Sequence, residues 1–122
     1  MHIHRRKSPM IELSDSLAAW SGNDFATVFK REVAMLSLDQ LPLQQALTSG
    51  SVASKENLQI TINRSRQLQG KLVVDAGIFY SSIIAGCNCA DDPTPADLIN
   101  EYCELRFSID LDSAETRISI LP

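Results

Sequence analysis

The clearest pattern in the chain is a two-residue alternation of apolar and polar positions over residues 103–111. This period is typical of a half-buried β-strand, because successive side chains of a strand point to opposite faces of the sheet. The polar stretch 112–115 predicts a turn, and a second alternating segment follows at 116–121. The two segments are therefore predicted to form a C-terminal hairpin.

The same alternation predicts a strand at 58–63, where Leu, Ile and Ile are separated by Gln and Thr. The long apolar stretch that follows predicts two strands, 69–74 and 78–84, joined by a tight turn at Asp-Ala-Gly77. One long strand across 69–84 with a bulge at the glycine is an alternative that the pattern leaves open.

Apolar positions spaced three or four residues apart predict three N-terminal helices, at 14–21, 23–36 and 41–47. The second helix has the longest apolar stripe, with charged residues largely on the opposite side. The polar, Gly/Ser-rich segment 48–57 predicts a loop. Thr94 followed by a proline predicts a capped helix that precedes the strand at 103–111.

Helices come first in the chain and strands follow, which favours an α+β fold over a repeated βαβ arrangement. We expect a mostly antiparallel sheet of four to five strands with the N-terminal helices on one face. The other face would present polar side chains to water or to a partner. Residues 10–122 are expected to form a single α+β domain, and residues 1–9 a disordered basic tail.

The charge distribution argues against two classes of partner. The net charge is −4, and residues 1–9 hold three basic residues and no acid, so residues 10–122 carry −7 (−4 − 3). An acidic body is poorly suited to nucleic acid, which is bound through Lys and Arg, or to an anionic membrane surface. No segment has the composition of a membrane span or a secretory signal, so we expect a cytoplasmic protein. Its three cysteines are then expected to be thiols.

The segment 86–97 holds the most unusual chemistry, since it combines two cysteines, two adjacent aspartates and two prolines. If the chain is extended there, Cys87 and Cys89 project to the same side and can reach one metal ion. Cys103 is expected nearby if its strand pairs with 78–84, and Asp91 or Asp92 can supply an oxygen ligand. Such a set suits tetrahedral zinc, although the spacing matches no standard zinc signature. The first hypothesis is thus a metal-binding module.

A second hypothesis is a metal-free protein–protein interaction module that uses the exposed sheet face or the acidic 86–97 segment. A third is a thiol redox switch, in which Cys87 and Cys89 form a strained disulfide. Hydrolysis by the two aspartates with Tyr80, Ser81 or Ser82 is disfavoured, because residues 10–122 contain no histidine and no nucleophile motif. The sequence therefore favours a binding protein over an enzyme, with an unidentified protein or small ligand, and leaves a homodimer open.

Overall fold

The computed structural model describes residues 10–84 and 98–122, which form a curled five-stranded antiparallel sheet with two short helices. In chain order the elements are β1 (Ile11–Glu12), α1 (Ser14–Ala19), α2 (Phe25–Ala34), β2 (Val52–Leu68), β3 (Lys71–Ile83), β4 (Ile99–Asp110) and β5 (Glu115–Ile120). The strands lie in the order β1-β5-β4-β3-β2, so that β2 to β5 form a meander. The predicted α+β class and antiparallel sheet are confirmed, with fewer helices than predicted.

A two-residue turn joins β2 to β3. Gln69 and Gly70 have φ angles of 43° and 80°, and the flanking residues Leu68 and Lys71 are paired. Positive φ at both central residues matches the right-handed twist of a hairpin, and glycine adopts it without steric cost. The predicted C-terminal hairpin is also confirmed, because β4 pairs antiparallel with β5 from Leu105 to Ile109.

The predicted turn at Gly77 is wrong, because β3 runs without interruption. Gly77 pairs with Thr61 on one side and with Glu104 on the other, and the register with β4 contains no bulge. Asp75, which suggested a turn, instead receives hydrogen bonds from Arg106 of the neighbouring strand. The alternative prediction of one long strand is therefore correct. The bulge that it placed at Gly77 is wrong.

The predicted loop at 48–57 is wrong in its second half, because β2 begins at Val52. Ala53 is buried and pairs with Ser82, while Ser54 pairs with Ser81. Local composition suggested a loop, but β3 supplies a paired backbone for this polar stretch. Pairing also extends β2 beyond the predicted strand 58–63 to Leu68.

The predicted helix at 41–47 is wrong, because this segment consists of turns. Leu43 is nevertheless buried in the core, as the apolar pattern indicated, and Leu41 is buried as well. Gln44 bonds to the start of β2: its amide donates to the Ser51 carbonyl at 2.8 Å and its Oε1 accepts from Ala53 N at 2.8 Å. A seven-residue helix is marginal alone, and these tertiary contacts hold the turns instead.

A helix was predicted from Thr94 towards Tyr102. Its part from residue 99 on is wrong, because β4 begins at Ile99. Thr94 itself lies outside the described residues, as does the predicted tail at 1–9. Pairing of Ile99 with Ser82 extends the β3–β4 ladder four residues before the predicted strand start.

The two helices cover one face of the sheet. Phe25, Phe29 and Val33 of α2 are buried in the same hydrophobic cluster as the strands, and Phe29 meets Phe107 edge-to-face at 5.1 Å. This confirms the core face predicted for the second helix, although α2 ends at Ala34 and α1 ends at Ala19, each shorter than predicted.

Glu32 of α2 stabilises the start of α1. Its carboxylate accepts hydrogen bonds from Asp15 N at 3.1 Å, Ser16 N at 2.8 Å and Ser16 Oγ at 2.6 Å. A carboxylate at a helix N-terminus satisfies free amides and interacts favourably with the helix dipole. The cap therefore comes from a neighbouring helix.

Candidate functional site

The two faces of the sheet differ in character. On β4 the odd-numbered residues from Glu101 to Ile109 are buried, and the even-numbered residues from Tyr102 to Asp110 lie on the opposite side, here called the outer face. On β3 the outer face carries the odd-numbered residues, because Phe79 pairs with Tyr102. Chemistry on the buried face serves the core, whereas the outer face is accessible.

Glu101 is a buried carboxylate that anchors the segment before β2. Its Oε1 accepts from Thr48 N at 3.0 Å and Thr48 Oγ1 at 2.9 Å. Its Oε2 accepts from Ser49 N at 3.1 Å, Gly50 N at 2.9 Å and Ser82 Oγ at 2.6 Å. Burial alone would raise the pKa of Glu101, but these hydrogen bonds to the charged form lower the pKa to about 2.

Gly50 is required for this close approach. A Cβ at Gly50 would lie 2.6 Å from the Ser82 Cβ and closer still to its hydroxyl. Ser82 is fully buried and held by Glu101, so it has no room to yield. With five donors satisfied, the Glu101 carboxylate has a structural role and is not free to act as an acid or base.

Tyr80 and Ser81, also considered for hydrolysis, are engaged structurally as well. Tyr80 donates its hydroxyl to the Leu43 carbonyl at 2.9 Å, and burial raises its pKa. Ser81 Oγ donates to the Glu56 carbonyl at 3.0 Å. Each of these two hydroxyls stabilises a segment packed against β3, so neither is placed to act as an activated nucleophile.

Cys103 lies on the buried face of β4 and belongs to the hydrophobic core. Burial, followed by the nearby charges of Glu101 and Glu104, raises the pKa of its thiol to about 11. Since a thiolate is the form that binds metal or attacks a disulfide, Cys103 is held in its inert form in this arrangement.

The remaining predicted ligands, Cys87, Cys89, Asp91 and Asp92, lie outside the described residues, so a shared centre with Cys103 stays a prediction. Within 10–84 and 98–122, no group of three or more His, Cys, Asp or Glu side chains is placed to hold a metal ion.

The outer face carries an exposed aromatic pair. The rings of Phe79 and Tyr102 lie 4.6 Å apart between centroids, and the two residues are 44% and 42% exposed. Tyr102 lies over Gly77, where a Cβ would come within 2.6 Å of the tyrosine hydroxyl oxygen. That hydroxyl donates to Glu104 Oε2 at 2.9 Å. Burial and this bond to Glu104 raise the pKa of Tyr102, which keeps the hydroxyl protonated as a donor.

A depression of about 620 Å³ opens beside the aromatic pair, and we call it the outer-face cleft. One wall is a bulge in β2, where the register shifts between Ser54 and Gln59 and Asn57 has a φ of 60°. Lys55 holds the bulge by donating to the carbonyls of Ala34 and Leu36 at the end of α2. The lining includes Asn57, Gln59, Phe79, Ser81, Asn100 and Tyr102.

The electrostatics of the outer face change along β4. Near its centre, Arg106 and Arg66 both bond to Asp75, with the shortest contact 2.7 Å from Arg106 Nε, and the bond from Arg106 is the main cause that lowers the pKa of Asp75. Beside the cleft, Glu104 accepts the hydrogen bond of the Tyr102 hydroxyl, and none of the described lining residues is a lysine or arginine. The cleft therefore combines aromatic rings and amides, with the negative charge of Glu104 next to it.

Sequence reasoning missed Phe79 and Tyr102 as candidate residues. Phe79 stands between two apolar neighbours, so local pattern could not tell which side chain faces out. Tyr102 carried a usable signal, because extending the alternation backwards from 103 places it on the polar face with Glu104.

Comparison of the chain with protein-family models, with curated proteins and with solved structures gave no match. Neither helix in the described ranges has the length and apolar content needed to cross a lipid bilayer.

Proposed function

We propose that the protein is a binding module that recognises a segment of another protein through the outer-face cleft. The observation that carries this proposal is the Phe79–Tyr102 pair, which exposes two large aromatic rings at the floor of a cleft flanked by amide side chains. Aromatic residues and adaptable polar groups are enriched at protein interfaces, because a ring buries a large area with few rotatable bonds.

The charge of the cleft favours a cationic side chain in the partner. A lysine ammonium or arginine guanidinium over an aromatic ring is attracted by the negative face of the ring. The bond from the Tyr102 hydroxyl to the Glu104 carboxylate increases electron density in that ring, and the carboxylate adds a direct attraction. The net charge of −4 acts in the same direction over longer distances.

Titration of isotopically labelled protein with the peptide Ac-Gly-Gly-Arg-Gly-Gly-NH2 tests the proposal by NMR. We expect saturable shifts at the amides of Phe79 and Tyr102. Replacing the arginine by citrulline, which has the same shape and no charge, is expected to weaken binding about fivefold, the size of an exposed cation–π contact.

Two variants make the test specific to the cleft. Phe79→Ala removes half of the aromatic pair, and we expect it to reduce the arginine preference while leaving the part that Tyr102 and Glu104 contribute. Leu68→Ala is the matched control, because Leu68 is a similarly exposed apolar residue at the far end of β2. Equal binding of the arginine and citrulline peptides to the unaltered protein would contradict the proposal.

A further inference from the structure

The edge of β4 that faces β5 is paired along only part of its length. Among residues 10–84 and 98–122, the β4–β5 register runs from Leu105 to Ile109. One more hydrogen bond, from Leu121 N to the Glu104 carbonyl at 2.8 Å, closes the ladder. No described strand pairs with the same edge of Ile99–Cys103, although this stretch pairs with β3 on its other side.

The direction of the free backbone groups follows from the ladder. In an antiparallel strand the N–H and C=O of one residue point to the same edge, and the edge alternates from residue to residue. Because Glu104 directs its carbonyl to β5, Tyr102 and Asn100 direct theirs to that edge as well. The amides and carbonyls of Asn100 and Tyr102 are therefore spaced to bond a further strand placed in line with β5.

A cavity of about 400 Å³ lies beside this edge of the sheet. Its lining is mostly apolar and includes Ala46, Cys103, Ile120 and Leu121, together with Tyr102 and Glu104 of the outer face. The outer-face cleft, with Tyr102 and Asn100, lies on the outer face of the same short stretch. A strand added here would direct alternate side chains towards Cys103 on the buried face and towards Tyr102 and Glu104 on the outer face.

We infer that the partner binds as an added β-strand along Asn100–Glu104, with alternating apolar and cationic side chains. This inference rests on the proposed function and specifies the partner's conformation. Main-chain hydrogen bonds to Asn100 and Tyr102 supply affinity, as in other cases of strand addition, and the two flanking depressions supply selectivity. Apolar side chains enter the cavity at Cys103, and cationic side chains contact Tyr102 and Glu104.

Amide hydrogen exchange of the free protein tests the open edge directly. The amides of Asn100 and Tyr102 are expected to exchange at least about 100-fold faster than those of Glu101 and Cys103, which point to β3. Equal protection of all four amides would overturn the inference, because the edge would already be paired. Protection that rises with protein concentration would also overturn it, since a second copy of the chain would then occupy the edge.

The peptide Ac-Val-Arg-Val-Arg-Val-Arg-NH2 tests strand addition, together with two derivatives that are N-methylated at all valine or at all arginine amides. Only one of the two sets of amides can face β4, so one derivative is expected to lose binding at least about tenfold while the other retains it. Bound parent peptide is expected to slow exchange at Asn100 and Tyr102. Equal binding of both derivatives would overturn the inference.

The Phe79→Ala variant separates failure of this inference from failure of the proposed function. If Phe79→Ala weakens the parent peptide and both methylated derivatives bind as well as the parent, the outer-face function stands and strand addition is wrong. If one derivative loses binding and Phe79→Ala has no effect, strand addition stands and recognition by the aromatic pair is wrong.

Discussion

Replacing Glu101 by glutamine tests whether one buried carboxylate holds the segment before β2 in place. The substitution keeps the shape of the side chain but removes the charge and turns one acceptor oxygen into a donor amide. Oε1 faces the amide and hydroxyl of Thr48, and Oε2 faces three further donors. In either orientation, the new NH2 group meets at least one backbone N–H of Thr48, Ser49 or Gly50.

The expected cost follows from counting these bonds. One buried N–H left without an acceptor costs about 1–3 kcal/mol, and loss of charge weakens the bonds that remain by about 1 kcal/mol in total. We therefore expect Glu101→Gln to lower the free energy of unfolding by about 2–4 kcal/mol, a large part of the stability of a small domain.

Urea unfolding followed by the fluorescence of Trp20, the single tryptophan, measures this change. Glu104→Gln is the control, because Glu104 accepts one side-chain bond from Tyr102 on the outer face and should cost under about 1 kcal/mol. A loss below about 0.5 kcal/mol for Glu101→Gln would refute the structural role assigned to the carboxylate.

The unaltered protein and the Glu101→Gln variant should respond differently to acid. Because the folded pKa of Glu101 lies at about 2, below its ordinary value of 4.5, its contribution is fully present above pH 4.5. That contribution is lost as pH falls towards 2, so the difference between the unaltered protein and Glu101→Gln is expected to shrink over this range. A constant difference would contradict the assignment.

Three further substitutions test other contacts by urea unfolding and the pH dependence of stability. Gly50→Ala places a Cβ against the buried Ser82 and is expected to cost about 1–3 kcal/mol; an unchanged midpoint would show that the segment can move. Asp75→Asn breaks the bidentate bond from Arg106 and is expected to cost about 1–3 kcal/mol at neutral pH. Because the folded pKa of Asp75 is lowered from 3.8, that cost should decline as pH falls below this value, and a cost independent of pH would count against the ion pair. Lys55→Met removes a cation from the last carbonyls of α2 and is expected to cost about 0.5–1 kcal/mol; a larger loss would indicate that Lys55 holds more than the helix end.

Local pattern was sufficient to predict an element where one of its faces is buried and the other is exposed to solvent. The alternation over 103–111 led to β4 and its hairpin with β5, and the apolar stripe of 23–36 led to α2. Periodicity reports which side chains face the core, and this information is contained in a few neighbouring residues.

Local pattern failed where distant residues supplied the bonding. Residues 52–54 became strand because β3 offered a paired edge, and Asp75 remained within a strand because Arg106 neutralised it. The segment 41–47 buries Leu41 and Leu43 but uses turns, since Tyr80 and the start of β2 bind its polar groups.

The candidate site depended most on such distant contacts. By itself, the sequence determined an acidic α+β protein with an antiparallel sheet, because composition and periodicity act residue by residue. Only the tertiary structure decided that Phe79 and Tyr102 meet on the accessible face and that β5 pairs with Leu105–Ile109 of β4. Those two facts arise from strand register, which is set by pairing between segments that no local pattern connects.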